Sequence, residues 1–201
     1  MDDAPQVRVT RPAGAGAERL RTIIVLLAAA VLVGAVTVAI GLPAADDGVT
    51  TLPGRTNQGG APRAGDLPPD FQATAIDGSA VSVGAFKGKP LWLTFGASWC
   101  PDCRAEATDL QAAYAKYQPQ GLAVLGVFID EDKAAVTDYA RRVGFTFPLV
   151  SDPKGAIADT YRTYGIPIHF FIGRDGTIVE VRIGRLTPAD MDQLVQKIVA
   201  G

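Results

Sequence analysis

The chain has 201 residues, a net charge of −2 and two cysteines. Its length suits one domain with additional segments, and its weak negative charge provides no basic field that would recruit nucleic acid. Two cysteines are too few for a disulfide framework, so any bridge between them closes a single loop.

The first 42 residues predict a membrane anchor with a polar segment before it. Residues 1–21 are polar and contain four arginines, and Ile23–Leu42 are twenty residues without a charge. Such a stretch makes about 30 Å of helix, the thickness of a hydrocarbon core. We therefore predict a single transmembrane helix over 22–42, while the following "LPAAD" leaves cleavage as a signal peptide open.

The arginines predict the orientation of this anchor. All four of the first segment precede it, and the next arginine is Arg55. The positive-inside rule then places residues 1–21 in the cytoplasm and the residues after the anchor outside it. The predicted protein is therefore a single-pass protein of the cell membrane. Residues 43–66 are rich in Gly, Pro and small polar residues and predict a flexible linker, with a mean span on the order of 27 Å.

Residues 67–201 are predicted to form one α/β domain. Two nearly continuous apolar runs, 90–97 and 122–130, predict strands that are covered on both faces. The predicted order implies a mixed central sheet with helices on both faces. The full set of predicted elements is a hairpin around 77–78, strand 90–97, helix 101–117, strand 122–130, helix 132–143, an extended segment at 147–152, helix 155–164, a hairpin of 168–173 with 177–184, and a helix from 187.

The motif "WCPDC" places Cys100 and Cys103 three residues apart at the predicted start of a helix. Residues at this spacing inside a helix hold their Cβ atoms about 5–6 Å apart, whereas a disulfide needs about 3.8 Å. We therefore expect Cys100 at the helix entrance, Pro101 at the first helical position and Cys103 in the first turn. Free N–H groups at the entrance stabilise a thiolate, which predicts an exposed attacking thiol at Cys100 and a shielded resolving thiol at Cys103.

Other uses of the two cysteines are less favoured. A structural disulfide over so short a loop restrains the unfolded chain little. A zinc site needs about four ligands, and the chain offers two thiols and one histidine, His169. A copper site made from these three groups stays open at this point, and so does a purely structural role for His169.

From "WCPDCRAE" onward the pattern becomes more specific, and residues 67–201 resemble the thioredoxin superfamily. Within it they are most similar to membrane-anchored extracytoplasmic thiol–disulfide oxidoreductases of the TlpA/ResA type. The hairpin, "LWLTFGASW", the cysteine motif, "GLAVLGVFIDED" and "YGIPIHFFIGRDGTIV" follow one another in the family's order. The resemblance implies a thioredoxin-like fold with an N-terminal β-hairpin, a redox-active Cys100–Cys103 disulfide in place of a cofactor, and no metal.

The resemblance also implies roles for further residues. Pro167 matches the family's cis-proline, which would bring Ile166 beside the cysteines, where its backbone can pair with an extended substrate. Trp99 would shield the cysteines and shape a contact surface. Glu106 matches an acidic residue that can accept or return the Cys103 proton. The alternative is that Glu106 is an ordinary solvated residue on the helix surface.

Three positions depart from the family's usual pattern. Thr94 stands where thioredoxins carry a buried Asp, and Gly96 stands where an aromatic residue is usual. Asp102 puts a negative charge near both sulfurs, which opposes the thiolate. Since stabilising the reduced form makes a pair oxidising, Asp102 favours a reductant.

The predicted function is an extracytoplasmic thiol–disulfide oxidoreductase that reduces protein disulfides. Apocytochrome c, other secreted proteins and a membrane electron donor of the DsbD/CcdA kind are the partners that the resemblance suggests. Two alternatives remain: a thiol peroxidase, for which Ala97 stands where a Thr is expected, and a Sco-like copper chaperone, whose cysteine spacing is one residue longer.

Overall fold

The computed structural model describes residues 48–55 and 60–201. The predicted cytoplasmic segment, the predicted anchor and the start of the predicted linker lie outside these residues. Among the described residues, no helix is both long enough and apolar enough to cross a membrane.

The secondary structure follows the predicted order closely. The α-helices are α1 (Pro101–Tyr117), α2 (Lys133–Val143), α3 (Ala156–Thr160) and α4 (Pro188–Val199). The strands are β1 (Thr50–Thr51), β2 (Gln72–Thr74), β3 (Ala80–Ser82), β4 (Leu91–Gly96), β5 (Ala123–Ile129), β6 (Leu149–Asp152), β7 (Gly165–Ile166), β8 (Ile168–Ile172) and β9 (Ile178–Ile183).

The central sheet is mixed, as predicted. Its strand order is β6–β5–β4–β8–β9. The pairs β4–β5 and β5–β6 are parallel, whereas β4–β8 and β8–β9 are antiparallel. Strand β4 lies in the middle, and all six of its residues are buried, which explains its continuous apolar sequence.

Helices cover both faces of this sheet. On one face α1, α2 and α4 pack against a cluster that includes Trp92, while on the other face α3 packs against a cluster that includes Leu93 and Phe95. Neighbouring residues of β4 thus point to opposite sides, as the pleat of a strand requires. The predicted N-terminal hairpin is also present, because β2 pairs antiparallel with β3. The chain therefore has a thioredoxin-like α/β fold.

One helix is shorter than predicted. The sequence indicated helix over 155–164, but α3 ends at Thr160. Arg162 then adopts a positive φ of 53°, a left-handed conformation that ends a helix. The chain after this turn becomes extended and forms β7.

Part of the predicted linker packs against the domain. Residues Thr50 and Thr51 form β1, which pairs antiparallel with Ile166 and Gly165 of β7. A strand of two residues is too short to show an alternation of polar and apolar residues, so the sequence does not predict it. This small sheet lies directly beside the cysteines.

Candidate active site

The two cysteines lie where β4 ends and α1 begins. Their sulfurs are bonded to each other, and their Cα atoms are 5.3 Å apart. Cys100 caps the helix in an extended conformation, with φ −76° and ψ 121°, and Pro101 follows in the first turn. The backbone N–H of Cys103 donates to the Cys100 Sγ at 3.1 Å. The predicted helix entrance is confirmed, and one of its free N–H groups does reach the sulfur.

The predicted exposure of Cys100 is wrong for this structure. Cys100 is 0% exposed and Cys103 is 8% exposed. The Thr50 hydroxyl lies 3.4 Å from the Cys100 Sγ, and the Ile166 carbonyl oxygen lies 3.9 Å from it. A bonded sulfur has no hydrogen to donate, so Thr50 is the donor in the first contact. Cys100 is buried because β1 and β7 cover it.

Ile166 and Pro167 lie where the resemblance places them. The peptide bond between them is cis, which confirms that part of the prediction. Ile166 is buried and its backbone belongs to β7. The backbone edge expected to receive a substrate is therefore beside Cys100, but β1 of the same chain occupies it.

Glu106 is buried on the inner side of the cysteine pair. It is 3% exposed, so the alternative of a solvated surface glutamate does not hold. Its Oε2 accepts a hydrogen bond from the Leu186 N–H at 2.9 Å. Its Oε1 lies 3.4 Å from Nε2 of the fully buried His169. The Leu186 N–H thus holds the carboxylate, and the His169 ring is its buried neighbour.

His169 is oriented by contacts on its other nitrogen. The Trp92 indole N–H donates to Nδ1 at 3.3 Å, and the Thr94 hydroxyl lies 3.0 Å from the same atom. Since an indole N–H can only donate, Nδ1 must accept. The proton of the neutral ring therefore sits on Nε2, where it faces Glu106. Both nitrogens of His169 face protein groups, which favours a structural role over ligation of copper.

A small cavity joins Glu106 to the cysteine pair. It measures about 20 Å³, and its lining includes Cys103, Glu106, Tyr139 and Pro167. A cavity needs roughly 10–15 Å³ to hold a water molecule, so this cavity is large enough for one. Burial raises the pKa of Tyr139, which keeps its phenol protonated at neutral pH. Cys103 and Glu106 therefore share the lining of one small cavity, and proton transfer between them stays a prediction.

Glu131 lies near the site and was not predicted from the sequence. Glu131 is buried and accepts hydrogen bonds from both the backbone N–H and the hydroxyl of Ser98, the former at 2.7 Å. It thereby holds the loop that carries Trp99 and Cys100. The sequence could have indicated Glu131 as a site residue, because it follows β5 and sites in α/β folds lie at the carboxyl ends of parallel strands.

The two tryptophans have different environments. Trp99 is 43% exposed and forms an apolar surface patch beside the buried cysteines, whereas Trp92 is 0% exposed. Trp92 therefore belongs to the core, as predicted. Trp99 has the exposure that a contact surface needs, and its role in binding stays a prediction.

Comparison with known proteins identifies the family. The model of the AhpC/TSA family matches residues 64–181. The chain belongs to the AhpC/TSA family. It is 30% identical over 134 residues to the thiol-disulfide oxidoreductase ResA of Geobacillus kaustophilus, an alignment that covers 67% of this chain and 77% of that relative. As an AhpC/TSA member with a bonded Cys100–Cys103 pair and ResA relatives, the chain is a thiol–disulfide oxidoreductase.

Solved structures agree with this assignment. A candidate thiol:disulfide interchange protein DsbE from Chlorobium tepidum aligns with a TM-score of 0.63 and 31% identity, over 70% of this chain and 98% of that one. StoA from Bacillus subtilis aligns with a TM-score of 0.56 and 27% identity, over 64% and 97% of the two chains. The likeness covers nearly the whole of each neighbour, so it extends well beyond the cysteine motif of this AhpC/TSA member.

Proposed function

We propose that this chain is an extracytoplasmic thiol–disulfide oxidoreductase that reduces protein disulfides. The main support is the position of Cys100 at the start of α1, between the helical N–H of Cys103 and the backbone of Ile166. A backbone edge next to a nucleophilic sulfur suits an extended polypeptide substrate, which can add to it as a strand.

The site residues can perform each step of the exchange. In the reduced chain the Cys100 thiolate attacks one sulfur of a substrate disulfide, and the other substrate sulfur leaves as a thiolate. Cys103 then loses its proton toward Glu106 and attacks the Cys100 Sγ. The Cys100–Cys103 bond forms, the second substrate sulfur leaves, and two electrons have passed to the substrate. A dithiol protein must then reduce the chain again.

The direction of electron flow is proposed from electrostatics. Asp102 lies in the first turn of α1, where its charge opposes a thiolate on Cys100 and so favours the oxidised pair. The extracytoplasmic location rests on the arginines before the apolar stretch 23–42. A membrane donor of the DsbD/CcdA kind and apocytochrome c are the partners that fit such a reductant.

The redox potential of the full chain in detergent tests the direction. We expect equilibration with glutathione or dithiothreitol buffers to give a value more negative than about −180 mV, the disulfide-isomerase range. A more positive value would contradict a reductant.

A trapping experiment tests the substrate class. Cys103→Ser leaves the mixed disulfide on Cys100 unresolved, so it should retain polypeptide partners that mass spectrometry can identify. The matched Cys100→Ser variant should retain none. Equal trapping by both variants would contradict the assigned roles.

A further inference from the structure

Residues Gly48–Arg55, here called the strap, lie across the candidate active site. Thr50 and Thr51 pair with Ile166 and Gly165. The Leu52 N–H donates to the Tyr164 carbonyl at 2.8 Å, which extends this pairing by one hydrogen bond. The strap thus binds the same backbone edge that an added substrate strand would use.

Two side chains of the strap fit into the domain near the cysteines. Thr50 faces the sulfur, with its hydroxyl 3.4 Å from the Cys100 Sγ. Leu52 is 4% exposed and belongs to the same apolar cluster as Cys100 and Ile166. The strap therefore places a small polar residue over the reactive sulfur and an apolar residue in a slot two positions later.

Arg55 fastens the end of the strap in an acidic slot. Its guanidinium lies 3.3 Å from a carboxylate oxygen of Asp130 and 3.0 Å from one of Asp159. It also donates to the Gly155 carbonyl at 3.3 Å. The Arg55 side chain is 16% exposed, whereas Arg63, farther along the predicted linker, is 86% exposed. The Arg55 side chain is thus mostly buried against the domain, whereas the Arg63 side chain lies on the surface.

Two glycines leave room for the strap. A Cβ at Gly155 would meet the Arg55 guanidinium at 1.6 Å, and a Cβ at Gly165 would meet the Val49 side chain at 2.7 Å. Real Cβ atoms do not approach other heavy atoms so closely. At these two glycines the strap therefore lies close against the domain surface.

The strap and disulfide exchange exclude each other. Exchange requires a direct approach of one sulfur to another, and Cys100 is 0% exposed while the strap is in place. A substrate can reach the Cys100 sulfur only when the strap has left. The backbone edge of β7, the apolar slot and the acidic slot then become available together.

We propose that the strap is a built-in competitor for a polypeptide-binding surface, and that substrates occupy this surface in the same direction. They would place a cysteine where Thr50 lies, an apolar residue two positions later and a basic residue five positions later. This inference rests on the proposed function, since it specifies the polypeptide substrates of that activity.

A cysteine placed in the strap tests the docking. The full chain carries both Thr50→Cys and Cys103→Ser, and oxidised glutathione should link position 50 to Cys100 by a disulfide. The two protein thiols lose two electrons and two protons, and two molecules of reduced glutathione form. The matched variant Thr51→Cys should not form this bond, because neighbouring strand residues point to opposite sides. Peptide mapping by mass spectrometry identifies the linked pair. Equal linkage at positions 50 and 51 would overturn the docking.

Alkylation of Cys100 measures how often the strap leaves. Iodoacetamide should form a carbon–sulfur bond at Cys100, with loss of iodide, in the full Cys103→Ser chain. Removing the partly exposed ion pairs with Arg55→Ala should raise this rate about fivefold, while Arg63→Ala should leave it unchanged. Equal rates in the two variants would overturn the role of Arg55.

A peptide pair tests the specificity. The substrate is the disulfide-linked dimer of Gly-Val-Cys-Thr-Leu-Pro-Gly-Arg, or of the same peptide ending in Glu, and the enzyme is the reduced full chain with Arg55→Ala. Asp130 and Asp159 should favour the Arg peptide about fivefold in the second-order rate constant of a single reduction, in which Cys100–Cys103 forms and the dimer yields two peptide thiols. Equal values would overturn the acidic subsite.

The two proposals can fail separately. A chain that exchanges with these dimers but shows neither the position-50 linkage nor the Arg55 effect would overturn the strap alone. A chain that shows the linkage but reduces no disulfide, even with Arg55→Ala, would overturn the proposed function and with it the substrate preference.

Discussion

The two sides of the cysteine pair are built differently. On the outer side, Cys100 is covered by Thr50 of the strap, which contacts the domain through backbone hydrogen bonds, the buried Leu52 and the Arg55 ion pairs. On the inner side, Cys103 and the buried Glu106 line one cavity, and the Leu186 N–H binds the Glu106 carboxylate beside His169. We propose that the outer cover gives way to a substrate chain, whereas movement of the inner cluster would expose buried polar groups. The difference suggests that recognition belongs to the outer side and proton handling to the inner side.

The largest effect is expected from removing the sulfurs themselves. Cys100→Ser and Cys103→Ser should each abolish multiple-turnover reduction of a protein disulfide, since each breaks the exchange cycle at a different step. Insulin reduction followed by turbidity measures this loss. Residual turnover by Cys103→Ser comparable to that of the unaltered chain would show that the inner cysteine is not the resolving thiol.

The next largest effect concerns Glu106. Glu106→Gln keeps the size of the side chain but cannot accept a proton, so release of the mixed disulfide by Cys103 should slow by about 100-fold. Stopped-flow measurement of the release step against pH checks this, with the unaltered chain as the reference. His169 contacts this carboxylate, and Tyr139 and Cys103 share its cavity. An unchanged rate and pH profile would assign Glu106 a structural role only.

His169→Leu should destabilise the inner cluster. It leaves the Trp92 N–H without its acceptor and the Glu106 carboxylate with the Leu186 N–H alone, which we expect to cost about 2–4 kcal/mol of the free energy of unfolding. His169→Gln retains a donor for Glu106 and should recover part of this loss. Urea denaturation of the two variants makes the comparison. Equal stability of both would show that the contact between Nε2 and Glu106 contributes little.

The smallest effect is expected at the start of α4, next to Leu186. The Thr187 side chain caps this helix and forms a capping box with Asp190, so Thr187→Ala should lower the free energy of unfolding by about 1 kcal/mol. Hydrogen bonds from Thr187 lower the pKa of Asp190 below its ordinary 3.8. A lowered folded-state pKa stabilises above pH 3.8, and this contribution is lost as the pH falls through the lower value. The loss of unfolding free energy caused by Thr187→Ala should therefore be complete at pH 6 and smaller at pH 3. Thermal unfolding of the variant and the unaltered chain at the two pH values measures it.

The start of α1 shows how far local sequence can predict a site. A cysteine at the cap, a proline in the first turn and a second cysteine one turn later satisfy rules that involve only neighbouring residues. The strands β4 and β5 were similarly predictable because burial on both faces leaves a continuous apolar run. In such places the physical cause and the sequence signal lie within a few residues of each other.

The burial of Cys100 and Glu106 was decided by the tertiary structure. Cys100 is covered by Thr50, which lies fifty residues earlier in the chain, and Glu106 meets Leu186, eighty residues later. A two-residue strand has no periodicity, and a helix glutamate looks the same in sequence whether solvent or a histidine lies beside it. By itself, the sequence determined the reactive pair and its helix entrance, since both depend on local backbone geometry. What covers the pair, and what surrounds the buried Glu106, depended on contacts between distant segments that only the folded chain brings together.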